Sequence, residues 1–315
     1  MSFRLVIRVN EAKFGYMTID RILEALEVDL KPFAFCEIRG ASTTLALPGQ
    51  TQAILHYVTG GTGKIVVGKH SEQKVCRGTI ILLPAFQHHS LISATETFDP
   101  LPQCRPIDAA LKHIQAGDGP QTLGAVCGLV DISYRGISGI LNLIQEPLIE
   151  QLEPGDRIRN AMDELVLELA NPTLGTRALA RSLLEQCIIM LLRRHHSKGH
   201  KSVNWLRGAE DQQMWEILQH ILDTPRASHT VESLSEKVGM SRANFAKRFK
   251  EIYGTGPIEL LRSIRLQRAA ELLSVSDLPI KTIASKVGYQ SRSYFTRAFE
   301  SEFGKTPDKY RKSTP

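Results

Sequence analysis

The chain has 315 residues, of which 42% are apolar and 23% charged, a composition typical of a soluble globular protein with room for two domains. The N-terminus lacks an uninterrupted apolar core, and the longest strongly apolar helical run, 187–192, is far too short to cross a bilayer, so we expect neither a secretory signal nor a membrane span. The net charge of +6 lies almost entirely in the last third of the chain, because residues 205–315 hold 18 Lys and Arg against 13 Asp and Glu, a balance of +5.

Residues 1 to about 125 are predicted to be mostly β. Short apolar runs recur between glycine and proline residues, as in "AILHYVTG", "GKIVVGKH" and "GTIILLPAF". Strands of this length and spacing indicate a sandwich or a barrel. The segment "TGGTG" at 59–63 predicts a tight turn between two of these strands.

From about residue 156 to residue 196 the apolar residues recur at steps of three and four, which is the spacing of an α-helix. Two helices separated by "NPTLG" are predicted there, which together form a helical hairpin. The apolar stripe of the second helix is predicted to hold Leu179, Leu183, Leu184, Cys187, Met190 and Leu191. The polar segment at 197–204 is predicted to be a linker.

The remaining residues are predicted to be helical and contain one sequence motif twice. "KVGMSRANFAKRFKEIYGTGP" at 237–257 is repeated as "KVGYQSRSYFTRAFESEFGKTP" at 286–307. In each copy a glycine ends a short helix, and a serine, Ser241 or Ser291, is well placed to cap the helix that follows. Each copy therefore has the pattern of a helix-turn-helix, over about 231–252 and 280–302.

The second helix of each copy has one apolar and one polar face. Phe245 and Phe249 in the first copy, and Phe295 and Phe299 in the second, are predicted core residues. The outward residues are Arg242, Ala243, Ala246, Lys247 and Lys250 in the first copy, and Arg292, Ser293, Thr296, Arg297 and Glu300 in the second. An ordinary helical bundle with a solvated charged face would also fit one such motif, but two copies in the basic part of the chain favour double-stranded DNA as the partner.

A long helix is predicted between the two copies. From Pro257 to Ser274 it would span about 27 Å, which is close to the length of one turn of B-DNA, about 34 Å. A rigid spacer of this length could hold two recognition helices in successive major grooves on one side of the duplex.

The last hundred residues resemble the C-terminal signature of the AraC/XylS family of bacterial transcription regulators. The residues that carry the resemblance are Arg265, Leu266, Ala269, Leu272, Leu273, Ile283, Ala284, Gly288, Tyr289, Tyr294, Phe295, Arg297, Phe299, Gly304, Pro307, Tyr310 and Arg311. The resemblance implies two helix-turn-helix units joined by a long helix. It places base contacts on Ala243, Ala246, Lys247, Arg292, Ser293, Thr296 and Arg297. Because Ala243 and Ala246 are small, the first unit is expected to make few hydrogen bonds to bases and to rely on methyl or shape contacts.

The N-terminal part resembles the cupin-type sensor domain of one branch of this family, since Gly78, Pro84 and His89 match the second cupin motif. The first cupin motif needs an HxH sequence for a metal, and this chain offers only His56 followed by Tyr57, so no metal site is expected. His56, Tyr57, His88 and His89 together predict an effector pocket, although each could instead make ordinary hydrogen bonds at a strand end.

The five cysteines, Cys36, Cys76, Cys104, Cys127 and Cys187, include no CxxC pair. The odd count and the spacing argue against a disulfide framework or a zinc module and favour a reducing cytoplasm. Each is expected to be a small buried hydrophobic residue.

These observations together predict an α+β protein with a cupin-like β-barrel and helical hairpin, followed by an all-α double helix-turn-helix domain. The expected boundaries are 1–155 for the sensor domain, 156–196 for the hairpin, 197–204 for the linker and 205–315 for the DNA-binding domain. The predicted function is an effector-responsive, sequence-specific transcriptional regulator in the bacterial cytoplasm, on the nucleoid when bound. The family resemblance implies a homodimer whose surface is the helical hairpin, although the apolar stripes of the hairpin could also simply pack on the barrel. RNA polymerase and a small molecule are candidate partners, and no membrane association, cofactor or catalytic residue is expected. A cupin enzyme with a helical appendage and an architectural DNA protein are the alternatives.

Overall fold

The computed structural model describes residues 19–20, 22–50, 52–68, 71–85, 87–94, 111–134, 137–138, 143–144 and 146–313. They form a nearly closed, barrel-shaped sheet followed by helices, which confirms the predicted α+β class. The described strands are β1 (Leu26–Arg39), β2 (Thr44–Leu47), β3 (Ala53–Val67), β4 (Ser71–Cys76), β5 (Thr79–Leu83), β6 (His89–Ser93), β7 (Leu111–Ala116), β8 (Gln121–Tyr134), β9 (Ile137–Ser138) and β10 (Leu148–Gln151).

Strand β3 connects the two parts of the barrel. Its first half pairs with β5 and β8 in a sheet ordered β10-β5-β3-β8-β1-β7, and its second half pairs with β4 and β6. The change occurs near Gly61, which has a φ of 79° and lies so close to β8 that an added Cβ would be 2.0 Å from the Thr122 carbonyl oxygen. The prediction of a turn at 59–63 was therefore wrong, because this glycine-rich segment is a bend inside one long strand.

Alternate residues of β3 face different cores. Leu55 and Tyr57 belong to a core shared with the helices, whereas Ile54 and Val58 belong to the barrel interior. Because side chains of a strand point to opposite faces in turn, His56 faces the interior and its neighbour Tyr57 faces the helices.

The helical hairpin consists of α1 (Arg157–Ala170) and α2 (Thr176–Ser197), which pack against each other and against β1. Asp156 begins α1 by accepting a hydrogen bond from the Ile158 amide at 2.8 Å. The buried face of α2 runs through Thr176, Ala180 and Leu184, and Leu179 is 47% exposed. The prediction that Leu179 belongs to the apolar stripe was therefore wrong, because the buried face is displaced by one position.

The segment 197–204 is not an extended linker. Helix α2 continues to Ser197, and Lys201–Glu210 forms a 3₁₀ helix with Val203, Trp205 and Leu206 buried. This 3₁₀ helix contacts α2 on one side and, on the other, the helices Gln212–Asp223 and Arg242–Tyr253. Within 197–204, Ser197 therefore ends α2 and residues 201–204 begin the 3₁₀ helix, where Val203 is buried.

Seven helices complete the described chain: α3 (Gln212–Asp223), α4 (Val231–Lys237), α5 (Arg242–Tyr253), α6 (Pro257–Val275), α7 (Ile280–Lys286), α8 (Arg292–Phe303) and α9 (Pro307–Ser313). Helix α6 contributes to two cores. Leu261 and Ile264 belong to the core that also contains the hairpin, the 3₁₀ helix and α5, whereas Ala269 and Leu273 pack with α7 and α8. One helix of 19 residues, about 28 Å long, therefore connects the two C-terminal units through both of its ends.

Candidate functional site

The first helix-turn-helix is formed by α4 and α5. Gly239, with a φ of 64°, provides the left-handed backbone that the turn requires. The Ser241 hydroxyl then accepts a hydrogen bond from the Asn244 amide at 3.4 Å and so caps α5, as its position predicted. Phe245 and Phe249 are fully buried, and this fixes which face of α5 points outward.

The second helix-turn-helix, formed by α7 and α8, has the same construction. Gly288 has a φ of 92°, and the Ser291 hydroxyl accepts a hydrogen bond from the Tyr294 amide at 3.3 Å. Phe295 and Phe299 are fully buried. The predicted caps and core residues of both units are therefore confirmed.

The outward faces of α5 and α8 carry the residues predicted to contact DNA. Ala246 and Thr296 are half-buried, and the other seven are exposed: Arg242, Ala243, Lys247, Lys250, Arg292, Ser293 and Arg297. On α5, Arg242 lies 3.3 Å from Glu232, and Lys247 lies 3.9 Å from Glu251. Within the described part of the chain, Arg292 and Arg297 of α8 form no ion pair, so their guanidinium groups are available to an anionic partner.

Another basic residue of α5 has a structural partner that the sequence pattern did not indicate. The Arg248 Nε atom donates a hydrogen bond to Asp211 at 2.7 Å, and the Asp211 carboxylate also accepts a bond from the Met214 amide at the start of α3. This contact fixes the rotation of α5 about its axis relative to α3.

Arg265 of α6 joins the two helix-turn-helix units. Its Nε and Nη2 atoms donate hydrogen bonds to the carbonyl oxygens of Pro225 and Ala227, at 2.6 and 2.8 Å, in the loop that precedes α4. Its guanidinium carbon lies 5.9 Å from the centre of the Tyr289 ring, in the turn of the second unit. At the adjacent Gly288 an added Cβ would lie 3.0 Å from both the Arg226 Cα atom and Arg265 Nε. The loop of one unit and the turn of the other are therefore held together around one guanidinium group.

The barrel interior contains a cavity of about 390 Å³. Its described lining consists of Phe33, Ala34, Cys36, Leu47, Pro48, Gln50, Ile54, His56, His89, Lys112, Ile114, Cys127, Gly128 and Leu129. His56 and His89 of the predicted effector pocket therefore share one cavity.

A hydrogen-bond chain connects the polar groups of this cavity. His89 Nδ1 lies 3.0 Å from the backbone carbonyl oxygen of Gln87. This oxygen can only accept a hydrogen bond, so Nδ1 is the donor. His89 Nε2 then accepts from His56 Nε2 at 2.7 Å, and His56 Nδ1 accepts from the Cys127 thiol at 2.9 Å. Each imidazole is neutral in this arrangement and uses both of its nitrogens.

Burial keeps these groups uncharged. Desolvation lowers the pKa of His56 well below its ordinary value, and the nearby His89 lowers it further. Desolvation also lowers the pKa of His89, against an opposing hydrogen bond to Gln87, and raises the pKa of the Cys127 thiol. The polar end of the cavity is therefore neutral at pH 7.

The grouping of Tyr57 and His88 with this pocket is corrected. The Tyr57 side chain points to the opposite face of β3, where its hydroxyl donates a hydrogen bond to Asp163 of α1 at 2.5 Å. His88 is exposed and accepts a hydrogen bond from the Gly49 amide at 3.3 Å, outside the lining of the cavity. The sequence placed these residues together because they are adjacent to His56 and His89, but neighbours on a strand face opposite sides.

The described residues contain no group of three or more potential ligands that could hold a metal ion. Cys36, Cys127 and Cys187 are buried as expected, Cys76 is partly exposed, and Cys104 lies outside the described residues. Burial raises the pKa of Cys187 to about 12. No helix in the described part of the chain is both long enough and apolar enough to cross a membrane.

Sequence analysis did not assign a role to Cys127, Asp163 or Arg248. Cys127 is 71 residues from His56, and Asp163 is 106 residues from Tyr57, so no local pattern connects them. Arg265 was noted only as part of a family signature, and nothing in its spacing indicates a bond to a loop 40 residues earlier.

Comparison with protein families matches both halves of the chain. Residues 234–313 match a family described as a helix-turn-helix domain, and residues 18–197 match the cupin family.

Similar proteins include the RCS-specific HTH-type transcriptional activator RclR of Escherichia coli (strain K12), 35% identical over 154 residues, which are 49% of this chain and 54% of RclR. The HTH-type transcriptional regulator MtrA of Neisseria gonorrhoeae is 23% identical and covers 93% of this chain and 97% of MtrA. AlkR of Acinetobacter baylyi, also an HTH-type transcriptional regulator, is 24% identical over 94% and 99% of the two chains.

Two solved structures are also similar. The crystal structure of ToxT from Vibrio cholerae is 13% identical and aligns over 92% of this chain and 98% of ToxT, with a TM-score of 0.46. The DNA-binding domain of AdpA, solved with a target DNA, is 28% identical over 32% of this chain and 90% of that domain, with a TM-score of 0.31.

Proposed function

The chain belongs to the AraC-type family of helix-turn-helix transcriptional regulators and carries a cupin domain, and from this membership we propose that it reads specific DNA sites with α5 and α8 in two successive major grooves. Its similar proteins are transcriptional regulators, and we propose that this chain likewise has no catalytic activity.

The observation that carries the proposal is the way in which the two recognition helices are supported. Each has a buried phenylalanine face and an exposed cationic face, and α6 packs into the cores of both units. Two helices that only expose charged faces to solvent would not need to share α6. A protein that binds two half-sites of DNA needs a fixed distance between its recognition helices, and α6 provides it.

The residues of the two helices suggest different roles in recognition. Arg292 and Arg297 of α8 can each form bidentate hydrogen bonds with a guanine edge. On α5, the exposed Ala243 and half-buried Ala246 offer only methyl groups, and Lys247 and Lys250 offer point charges. We therefore expect the half-site read by α8 to have the stricter sequence requirement.

The cupin domain is proposed to sense a small molecule in the barrel cavity. Strand β3 carries His56 on the cavity side and Tyr57 on the helix side, where Tyr57 is bonded to Asp163 of α1. From α1 the same core continues through α2 and the 3₁₀ helix to α5. A ligand that displaces β3 would therefore also displace the hydrophobic core against which α5, the first recognition helix, is packed.

We propose the following division of the chain: a sensor domain over 1–155, the helical hairpin over 156–196 and the DNA-binding domain from 205 to 315, with 197–204 in the packed junction between them. The hairpin is the proposed homodimer surface, because three of its leucines, Leu167, Leu174 and Leu179, are exposed to solvent. RNA polymerase is a further proposed partner.

The test is genome-wide footprinting in the native host, followed by gel retardation on a protected fragment. Discrete protected sites are expected, and their affinity should fall steeply with salt. The double substitution Lys247→Glu/Arg297→Glu should weaken specific retardation by about 100-fold or more, at about 1–3 kcal/mol for each lost contact. The control is Lys74→Glu/Arg77→Glu, which makes the same charge change at exposed positions on β4 and in the turn that follows it.

Protection of the same site by the Lys247→Glu/Arg297→Glu protein would disprove the proposal. Diffuse coverage of genomic DNA by the wild-type protein would instead favour an architectural role.

A further inference from the structure

We propose that the barrel cavity binds an uncharged, predominantly apolar small molecule and rejects ligands that carry a carboxylate, sulfonate or phosphate group. The inference rests on the proposed function, because it names the ligand class of the proposed effector site.

The walls of the cavity are mainly apolar. Phe33, Ile54 and Leu129 line it together with Ala34, Leu47, Pro48 and Ile114. A volume of about 390 Å³ is at the lower end of the range for small-molecule pockets, about 300–1,000 Å³. A compact hydrocarbon or aromatic ligand would be stabilised there by the apolar surface that it removes from water.

The histidines do not provide a site for an ionic group. His56 and His89 bond to each other, and their remaining nitrogens are bonded to the Cys127 thiol and the Gln87 carbonyl oxygen. A ligand headgroup could reach an imidazole nitrogen only by breaking a bond of this chain. Because both rings are neutral, they also lack the positive charge that would stabilise an anion.

The only charged side chain among the described lining residues is Lys112, and it is exposed. Gln50, which is half-buried, is the other lining residue with a side-chain donor outside the histidine and thiol chain. An anion placed against the buried apolar wall, away from Lys112 and Gln50, would lose its hydration without an ionic or hydrogen-bonding replacement. The sulfur atoms of Cys36 and Cys127 and the imidazole rings instead offer polarizable surfaces, which favour contact with aromatic groups.

The experiment compares two fluorescent probes with the full-length protein at pH 7.5. N-phenyl-1-naphthylamine is neutral, and 8-anilinonaphthalene-1-sulfonate has the same aromatic skeleton with a sulfonate group. The neutral probe is expected to bind saturably with one site per chain, and the sulfonate at least tenfold more weakly.

Two substitutions that fill the cavity test the location. Ile54→Trp and Leu129→Trp should each weaken binding of the neutral probe at least tenfold, and Val275→Trp, at an exposed position of α6, should not. Circular dichroism and thermal unfolding identify a variant that fails to fold. Because the two filling substitutions lie on different strands, one can still test the location if the other variant does not fold.

Equal or tighter binding of the sulfonate, or unchanged binding of the neutral probe to both folded filling variants, would overturn the inference. Gel retardation of each protein separates this result from the proposed function. Specific DNA binding without saturable probe binding removes the ligand assignment and leaves the regulator intact, whereas probe binding without specific DNA binding supports the cavity assignment and rejects the regulator.

Discussion

The Nε atom of Arg265 donates a hydrogen bond to the carbonyl oxygen of Pro225 at 2.6 Å, although the two residues are 40 positions apart. Pro225 precedes the first helix-turn-helix, and the same guanidinium group lies over the ring of Tyr289 in the second. The distance between the two recognition helices therefore depends on one side chain in addition to the length of α6.

Arg265→Ala should make DNA binding tolerant of altered half-site spacing. On a duplex selected by the wild-type protein from a random pool, a 2-bp insertion between the half-sites turns one groove by about 70° relative to the other. The wild-type protein should lose at least tenfold in affinity, and Arg265→Ala less than threefold. Arg265→Lys keeps the charge but has a single nitrogen in place of the planar fork that reaches both carbonyl oxygens, so it should behave like Arg265→Ala. If both variants lose as much affinity as the wild-type protein on the insertion, Arg265 does not set the spacing.

Tyr57→Phe should destabilise the protein and disconnect the cavity from DNA binding. The substitution removes a bond between a buried hydroxyl and the partly exposed Asp163 carboxylate, which contributes about 1–2 kcal/mol to the free energy of unfolding. Urea denaturation measures this loss. Gel retardation should be measured with and without the neutral probe. The probe is expected to change the DNA affinity of the wild-type protein and to leave the DNA affinity of Tyr57→Phe unchanged.

The matched control for this prediction is Ser133→Ala, which removes a hydroxyl-to-carboxylate bond to Glu27 on the surface of the barrel. It should change the free energy of unfolding by less than about 0.5 kcal/mol. A Tyr57→Phe protein with wild-type stability and an unaltered response to the probe would contradict the proposed connection.

The free energy of unfolding should decrease as the pH falls below about 6.5. His56 faces Cys127 and His89, and His89 also faces His88; burial lowers the pKa of both His56 and His89 in the folded protein. The unfolded chain therefore binds more protons below the ordinary histidine pKa of 6.5, and each of these histidines adds at most about 1.4 kcal/mol of lost stability per pH unit. No contribution is expected above pH 7.5, where both states are neutral.

Urea denaturation between pH 7.5 and 5 measures this dependence. His195 and His220 also have lowered pKa values and would add to the pH dependence. The contribution of His56 and His89 is therefore the difference in the pH dependence of the free energy of unfolding between the wild-type protein and His56→Gln/His89→Gln. The double variant should have a shallower slope, and the exposed His88→Gln should not. Equal slopes for the wild-type protein and the double variant would exclude the histidine pair as a source of acid sensitivity.

Leu167→Asp/Leu174→Asp should weaken self-association at least 100-fold. These side chains are 56% and fully exposed on the hairpin, and an interface that buried them would lose apolar contact and gain unpaired charges. Sedimentation equilibrium should detect a mass of twice 35.1 kDa for the wild-type protein and 35.1 kDa for the variant. Val275→Asp, at an exposed apolar residue outside the hairpin, is the control. A variant that keeps the doubled mass would place the dimer surface elsewhere.

Local sequence patterns predicted the helix-turn-helix units well. The glycine turns, the Ser241 and Ser291 caps and the buried phenylalanines were recognised because capping and helical periodicity act within a few residues of the chain. The α+β class was predicted for the same reason, since alternation and helical period are local properties. The predicted turn at 59–63 was wrong because a glycine pair can bend a strand as well as end it, and only pairing with β8 distinguishes the two.

The sequence by itself therefore determined the two helix-turn-helix units, their serine caps, their buried phenylalanines and the family to which the chain belongs. The tertiary structure decided which distant groups meet: Cys127 with His56, Tyr57 with Asp163, and Arg265 with Pro225. It also decided that 201–210 is a packed junction, because Val203 and Trp205 are buried by elements from both halves of the chain. Caps and helical periods depend on neighbours within about four residues, whereas a cavity or a clamp depends on side chains that the fold brings together from anywhere in the sequence.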